Sequence, residues 1–343
     1  MKNNAFKINK GVLEKYTGGA ENVIIPDGIT SIGLGAFAHN EAIKSVKIPN
    51  GVTEICSLAF NKCKNLTSIE IPDSVTSFGN FVFCDCEALT RIEIPDSLTT
   101  IGVNAFAHCE NANIIVKDTN KNFCLIDNVI YSKDKKTLFY VCSKEITHYT
   151  IPKCVASIGD NAFSGNDKLI SIDIPNSVTS IGKKAFSYCE KLTSINLPES
   201  VTSIGSYAFA NCISLTSINI PSAVTSIEYG VFSECESLTK IEIPNGVTSI
   251  GCSAFSYCEK LTSVDLPESM TSIGSDAFAN CTRLTSIDLP KSVRHIRGFA
   301  FYNCKNLKKI KLSIHCSRDR GWKTNCPAEV IYFDEIPFYD DII

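Results

Sequence analysis

Residues 175–197 read PNSVTSIGKKAFSYCEKLTSINL, and close variants of this string recur along most of the chain. Its opening proline keeps a clock. Pro26, Pro49, Pro72 and Pro95 are 23 residues apart, and the beat resumes at Pro152, Pro175, Pro198, Pro221, Pro244, Pro267 and Pro290. Eleven residues after each proline stands a phenylalanine: Phe37, Phe60, Phe83, Phe106, Phe163, Phe186, Phe209, Phe232, Phe255, Phe278 and Phe301. Self-similarity at such a period marks a stack of supersecondary units, each touching only its neighbours.

Each unit holds two short β-branched runs. One precedes the proline (Ser68 to Ile71) and one follows it (Val178 to Ile181), and both are bounded by Pro or Gly as strands are. The Ala-Phe-x-x-Cys-x-x-Leu stretch between them has i, i+3, i+6 spacing, which predicts a single helical or 3-10 turn. In the coil opened by Pro175 the inward positions are Val178, Ile181, Ala185, Phe186, Cys189, Leu192, Ile195 and Leu197. Ordering a backbone costs about 1–2 kcal/mol per residue, so one coil cannot stand alone. Stacked coils about 4.8 Å apart share sheet hydrogen bonds and close each other's open faces, which predicts an elongated rod.

The 57-residue gap between Pro95 and Pro152 is two periods plus eleven. It resembles the N-terminus: Phe6, Ile8, Gly11, Val12 and Leu13 match Phe123, Leu125, Asn128, Val129 and Ile130 at a constant offset of 117. Gly11 and Asn128 both tolerate a tight turn's positive φ. Val129 to Tyr131 and Leu138 to Val141, joined by polar residues, predict a β-hairpin. The expected order is an N-terminal hairpin cap over 1–25, four coils over 26–110, a hairpin insertion over 111–149, seven coils over 150–312 and a C-terminal cap over 313–343, all in one continuous solenoid domain.

Composition narrows the function. A chain of 343 residues with 44% hydrophobic residues, 20% charged residues and a net charge of -3 fits a folded protein. It has no general basic charge for holding nucleic acid and no apolar run long enough to insert in a membrane. The opening MKNNAFKINKGVLEKYTGG lacks the uninterrupted apolar run of a signal peptide, which favours a cytoplasmic location.

Nine of the seventeen cysteines share one repeat position: Cys63, Cys86, Cys109, Cys189, Cys212, Cys235, Cys258, Cys281 and Cys304. Asn40 and Asn166 take that position in the first coil after each hairpin. A buried, weakly polar rung that satisfies turn backbone accounts for this interchange. Disulfides between coils compete with it, but equivalent residues have parallel Cβ vectors and nine is odd. Tetrahedral zinc fares worse, because four stacked thiols span about 15 Å. Cys56, Cys84, Cys124, Cys142, Cys154 and Cys252 are scattered, and Cys316 and Cys326 flank Trp322 as a candidate local pair. So many free thiols favour a reducing setting. His39, His108, His148, His295 and His315 form no metal spacing and read as loop-surface residues. No nucleophile, metal or phosphate motif interrupts the period, so neither a catalytic residue nor a cofactor is expected.

The free positions carry more. Between the isoleucines of the first strand the outward column reads Lys47, Glu70, Glu93, Asp173, Asn196, Asn219, Glu242, Asp265 and Asp288. Glu70 to Asp288 form a candidate partner-binding strip for a basic protein or peptide, or for weakly held cations. A solvated face balanced by Lys and Arg elsewhere is the competing reading. Tyr131, Phe139 and Tyr140 of the insertion either offer a second, exposed aromatic surface or pack onto the solenoid end.

LTSINLPESVTSIGSYAFANC, residues 192–212, resembles the leucine-rich repeat of the Treponema-pallidum or BspA-like type. The hairpins and the closing Trp322, Cys326, Val330, Ile331 and Tyr332 are similar to flanking elements of that family. The resemblance implies a β-rich α/β repeat solenoid: a right-handed superhelix of 23-residue coils with short helical or 3-10 turns, interrupted by a β-hairpin. It also implies a non-enzymatic protein-binding scaffold, a monomer of the surface-antigen or adhesin kind. An intracellular scaffold or assembly module is the alternative, and a cysteine-dependent enzyme a remote one.

Overall fold

The computed structural model describes residues 5–109, 111–143 and 145–333. The chain divides into two compact units, Met1–Lys144 and Glu145–Ile343.

In the first unit, Phe6–Asn9 and Val12–Tyr16 form an antiparallel hairpin around Gly11, whose φ is 80°. Its second strand then pairs in parallel with Ser31–Ile32, and Glu54–Ile55, Ser77–Phe78 and Thr100–Ile101 follow in one sheet. The strands before each proline build the other face. Asn22–Ile24, Ser45–Lys47 and Ser68–Glu70 pair with Val23, Val46 and Ile69 in line, and Arg91–Ile94 pairs with Asn113–Val116. Phe123–Ile126, Val129–Ser132 and Thr137–Val141 follow as an antiparallel meander.

The second unit repeats the design. Before the prolines, His148–Thr150 pairs with Ser171–Asp173, Ser194–Ile195 with Ser217–Ile218 and Lys240–Glu242 with Ser263–Asp265. Ser286–Asp288, Lys309–Leu312 and Glu329–Tyr332 complete that face. On the other face, Ser157–Ile158, Ser180–Ile181 and Ser203–Ile204 are in register, as are Ser249–Ile250, Ser272–Ile273, His295–Ile296 and Ser317–Arg318. All eight inward residues of the Pro175 coil are buried.

The expected helical turn is corrected: among the described residues there is no helix, and the fold is a β-solenoid. The Ala-Phe-x-x-Cys stretch is a chain of overlapping turns. Ala185 N–H reaches Gly182 O at 3.3 Å, Ser187 reaches Lys184 O at 3.1 Å, and Cys189 reaches Phe186 O at 3.2 Å. The alternate donors, Lys184, Phe186 and Tyr188, bond instead to the next coil at 3.0, 2.8 and 2.9 Å. Lys184 and Tyr188 adopt φ of 56° and 61°, a left-handed conformation that ends any helix after one step. Stacking thus claims half the donors a helix would use, although the apolar spacing is shared by both structures.

The phenylalanines form the spine. Phe163, Phe186, Phe209, Phe232, Phe255, Phe278 and Phe301 stack with centroids 5.1–5.7 Å apart. Trp322 closes this column edge-on at 6.0 Å, and Tyr16 meets Phe37 at the start of the first unit at 5.1 Å. Close stacking also explains Gly182. A Cβ there would stand 2.6 Å from the Asp160 amide of the preceding coil. The same position holds Cys56 and Arg297, whose N–H groups still reach Ile32 O and Ile273 O at 2.8 and 3.0 Å, so a side chain is accommodated there in some coils.

Of the two readings of the insertion, packing holds for Tyr131 and Tyr140, which are buried, while of the three aromatics only Phe139 is exposed. Strand alternation turns Tyr140 inward, where its ring meets Phe106 edge-on at 5.6 Å. Residues 334–343 of the expected C-terminal cap lie outside the described residues.

Candidate functional site

The strands before the prolines place the outward column. Inward-facing Ile and Val fix each strand's orientation, so the residue between them projects to solvent. Lys47, Glu70, Asp173, Asn196, Asn219, Glu242, Asp265 and Asp288 are all exposed, and Glu93 is half-buried.

Several carboxylates of this column are ion-paired with a neighbouring coil. Glu70 meets Lys47 at 3.1 Å, Asp265 meets Lys240 at 3.2 Å, and Asp173 lies 3.4 Å from His148. Glu93 is held by Lys117 at 2.6 Å and Arg91 at 2.8 Å, and their hydrogen bonds keep its carboxyl below the usual range. Among the described residues Glu242 and Asp288 have no ion-pair partner. The pattern is therefore part balanced face and part uncompensated charge.

The uncompensated part is concave around Glu242. A groove of about 750 Å³ crosses three coils there, lined by Asn196, Glu199, Ser217, Asn219, Glu242 and Asn245 over an isoleucine floor. Asn219 shapes it. Its Nδ2 donates to Leu197 O at 3.0 Å, and its Oδ1 accepts from Leu197 N–H at 3.2 Å. The equivalent N–H groups of Ile151 and Leu289 go to the backbone carbonyls of Asp173 and Lys311. Ser217–Ile218 and Lys240–Glu242 fall in separate sheets, as do Ser171–Asp173 and Ser194–Ile195 and also Ser263–Asp265 and Ser286–Asp288, while Thr239 N–H still reaches Thr216 O at 3.3 Å. Glu199 is anchored through one oxygen, which accepts from Ser222 N–H at 3.1 Å and from its hydroxyl at 2.9 Å.

The repeat-position cysteines are buried and make one recurring contact. Each Sγ donates to the phenylalanine carbonyl 26 residues earlier, as from Cys63 to Phe37 O at 3.1 Å and from Cys235 to Phe209 O at 3.2 Å. Cys86, Cys109, Cys189, Cys212, Cys258, Cys281 and Cys304 repeat this at 2.9–3.3 Å. That carbonyl also accepts the N–H of the residue three positions on in its own coil, Asn40 for Phe37, Asn166 for Phe163 and a cysteine elsewhere, so both lone pairs are used. Asn40 instead bonds Gly18 O at 3.3 Å and the Ala42 and Ile43 amides, while Asn166 bonds Phe163 O at 2.9 Å. Burial pushes the thiols of Cys212, Cys235, Cys258 and Cys281 well up. Cys304 is pushed up to about 12 by burial and by its neighbour Cys326. Cys326 thus lies beside the end of the ladder, although its sequence position sets it apart from the repeat. All seventeen cysteines are free thiols, Cys316 and Cys326 included.

The histidines divide. His39 and His108 occupy turn positions with φ of 60° and 57°. His148 and His295 lie on strands rather than loops. His148 Nδ1 meets Ser171 Oγ at 2.8 Å, while Asp173 accepts from Thr150 Oγ1 at 3.1 Å. Serine, imidazole and carboxylate together have the composition of an acyl-transfer triad. Here His148 and Asp173 are 53% and 68% exposed, and water screens the 3.4 Å contact, so the group reads as a polar cross-coil cluster. It arises from residues 23 and 25 positions apart, a spacing that the period itself supplies. Among the described residues no three His, Cys, Asp or Glu side chains are grouped to hold a metal.

Comparison with known proteins agrees with this geometry. The chain is similar to a leucine-rich repeat protein from Eubacterium ventriosum ATCC 27560, with 27% identity over 92% of this chain and 88% of that one and a TM-score of 0.66. It is similar to a leucine rich cell surface protein from Faecalibacterium prausnitzii A2-165, with 26% identity over 98% and 95% of the two chains and a TM-score of 0.54. The pneumococcal vaccine antigen PcpA shares the fold at 18% identity, covering 97% and 98% of the two chains with a TM-score of 0.54. No curated protein matches the sequence. The profile described as BspA type leucine rich repeat region (6 copies) matches residues 7–136, 132–259 and 226–320, and the chain belongs to that family.

Proposed function

We propose that the protein is a non-enzymatic scaffold that binds a protein or peptide through the outward column of its pre-proline strands. The observation that carries this reading is the contrast within one strand. Inward positions keep Ile, Val or Leu from coil to coil, whereas the outward position between them varies among Lys, Glu, Asp and Asn and is exposed in all but Glu93. A basic partner fits the uncompensated Glu242 and Asp288. The monomeric state and a surface-antigen or adhesin role belong to the same proposal. They draw on the family and on the cell surface protein it resembles at 26% identity.

An intracellular scaffold, whose reducing setting suits seventeen free thiols, is the second reading; fractionation of the source cell separates the two. Charge reversal of Glu242, Asp265 and Asp288 to lysine tests the column. Partner capture should fall, and unchanged capture would reduce the column to a solvating face.

A further inference from the structure

We infer that the groove around Asn219 is a discrete docking point for an arginine side chain of an extended, basic peptide. The inference rests on the column-binding reading and sharpens it, because it assigns recognition to one place. Three features of the groove converge on this ligand chemistry.

The first is charge. Glu199 and Glu242 line the groove, and the nearby cation on the Glu242 strand, Lys240, is already committed to Asp265 at 3.2 Å. A bound cation would therefore meet carboxylates without displacing an internal partner. The second is acceptor geometry. Glu199 uses one carboxylate oxygen on Ser222, which fixes its direction and leaves the other oxygen to accept. A planar guanidinium presents five N–H donors in a fork and matches several acceptors at once, whereas an ammonium is a point charge. The third is the base of the groove. The edges of Ile195, Ile218, Ile220 and Ile243 line it, each 3–8% exposed, and they offer a methylene stem a narrow apolar contact beneath its charged head.

Groove and column part company experimentally. The probe is a short fluorescein-labelled peptide of alternating threonine and valine with one central arginine, compared with lysine and citrulline versions by fluorescence anisotropy. Saturable binding in the order arginine, lysine, citrulline is expected. Glu242→Gln should weaken the arginine peptide about fivefold, the scale of one partly screened ion pair, and leave the citrulline peptide unaffected. Glu70→Gln with Asp288→Asn, which alters the column outside the groove, should change nothing. Circular dichroism and melting of each variant exclude misfolding. Equal weakening by the two sets of variants would overturn the groove and leave a diffuse acidic column. Equal binding of citrulline and arginine peptides, or no saturable binding, would overturn it as well. The column reading itself stands or falls on capture of a partner protein, which is measured separately.

Discussion

Replacing Phe209 by alanine removes one plate from the spine of the second unit, and its cost can be worked from the neighbours. The ring is fully buried, with Phe186 at 5.3 Å and 1° on one side and Phe232 at 5.7 Å and 6° on the other. A buried Phe-to-Ala change costs about 3–5 kcal/mol in transfer and cavity terms, and each ring contact adds about 0.5–1.5 kcal/mol. Phe209→Leu keeps most of the volume and loses the stacking, so it should cost about half as much. The damage should be local, because a coil touches only its neighbours. The Phe186 and Phe209 amides bond across coils to Ala208 O and Val231 O at 2.8 and 2.9 Å, and these rungs flank the lost ring. Urea unfolding gives the total, and native-state hydrogen exchange gives the place. Exchange at these amides should accelerate about 100-fold or more, with much less change in the coil opened by Pro290. A loss below about 1 kcal/mol, or equal losses for Ala and Leu, would refute the stacked-plate reasoning.

Three further outcomes follow from named contacts. Cys235→Ala deprives Phe209 O of its thiol donor and leaves a small void, for about 1–2 kcal/mol. Cys235→Ser keeps a donor and should cost less, as denaturant midpoints will show. Unfolded thiols ionise near 9.0, whereas Cys63 and Cys304 are pushed up to about 12 by burial. Their contribution to stability is thus intact below pH 9 and is lost as pH rises toward 12; Cys304→Ala should flatten the fall of Tm with pH in that window. Asn219→Ala leaves the Leu197 N–H and C=O without their amide partner, so thermal melting should show a loss of about 1–2 kcal/mol.

Much of this fold is legible in the sequence because position determines environment once every 23 residues. Phe186, Cys189 and Leu192 can be placed inside from the period alone, and Trp322 can be placed at the end. The turn conformation is not legible: i, i+3, i+6 spacing is common to 3-10 helices and to these turns, and only the coil-to-coil bonds of Lys184, Phe186 and Tyr188 decide between them. Tyr131 and Tyr140 look exposed because the insertion breaks the period that would have placed them. The outward column can be read as a list of residues, but its ion pairs require a second use of the period. Lys47–Glu70 and Lys240–Asp265 join residues 23 and 25 apart, so a charge search at the period plus or minus two would find them. Asn219 is recognisable as a column position, but its amide bonds to Leu197 and the groove it lines depend on backbone detail that no residue pattern carries.

The central claim is that binding belongs to one face of the coils. Its most direct test is the affinity of a captured partner for two triple variants, measured by biolayer interferometry. One variant carries Glu242→Lys, Asp265→Lys and Asp288→Lys. The other carries Thr202→Lys, Thr248→Lys and Thr271→Lys, exposed positions immediately before the post-proline strands. The account predicts at least about a tenfold loss for the first variant, the sum of several ion pairs each worth a fraction of a kcal/mol and reversed in sign, and little change for the second. Equal losses for both faces, or none for the first, would contradict it.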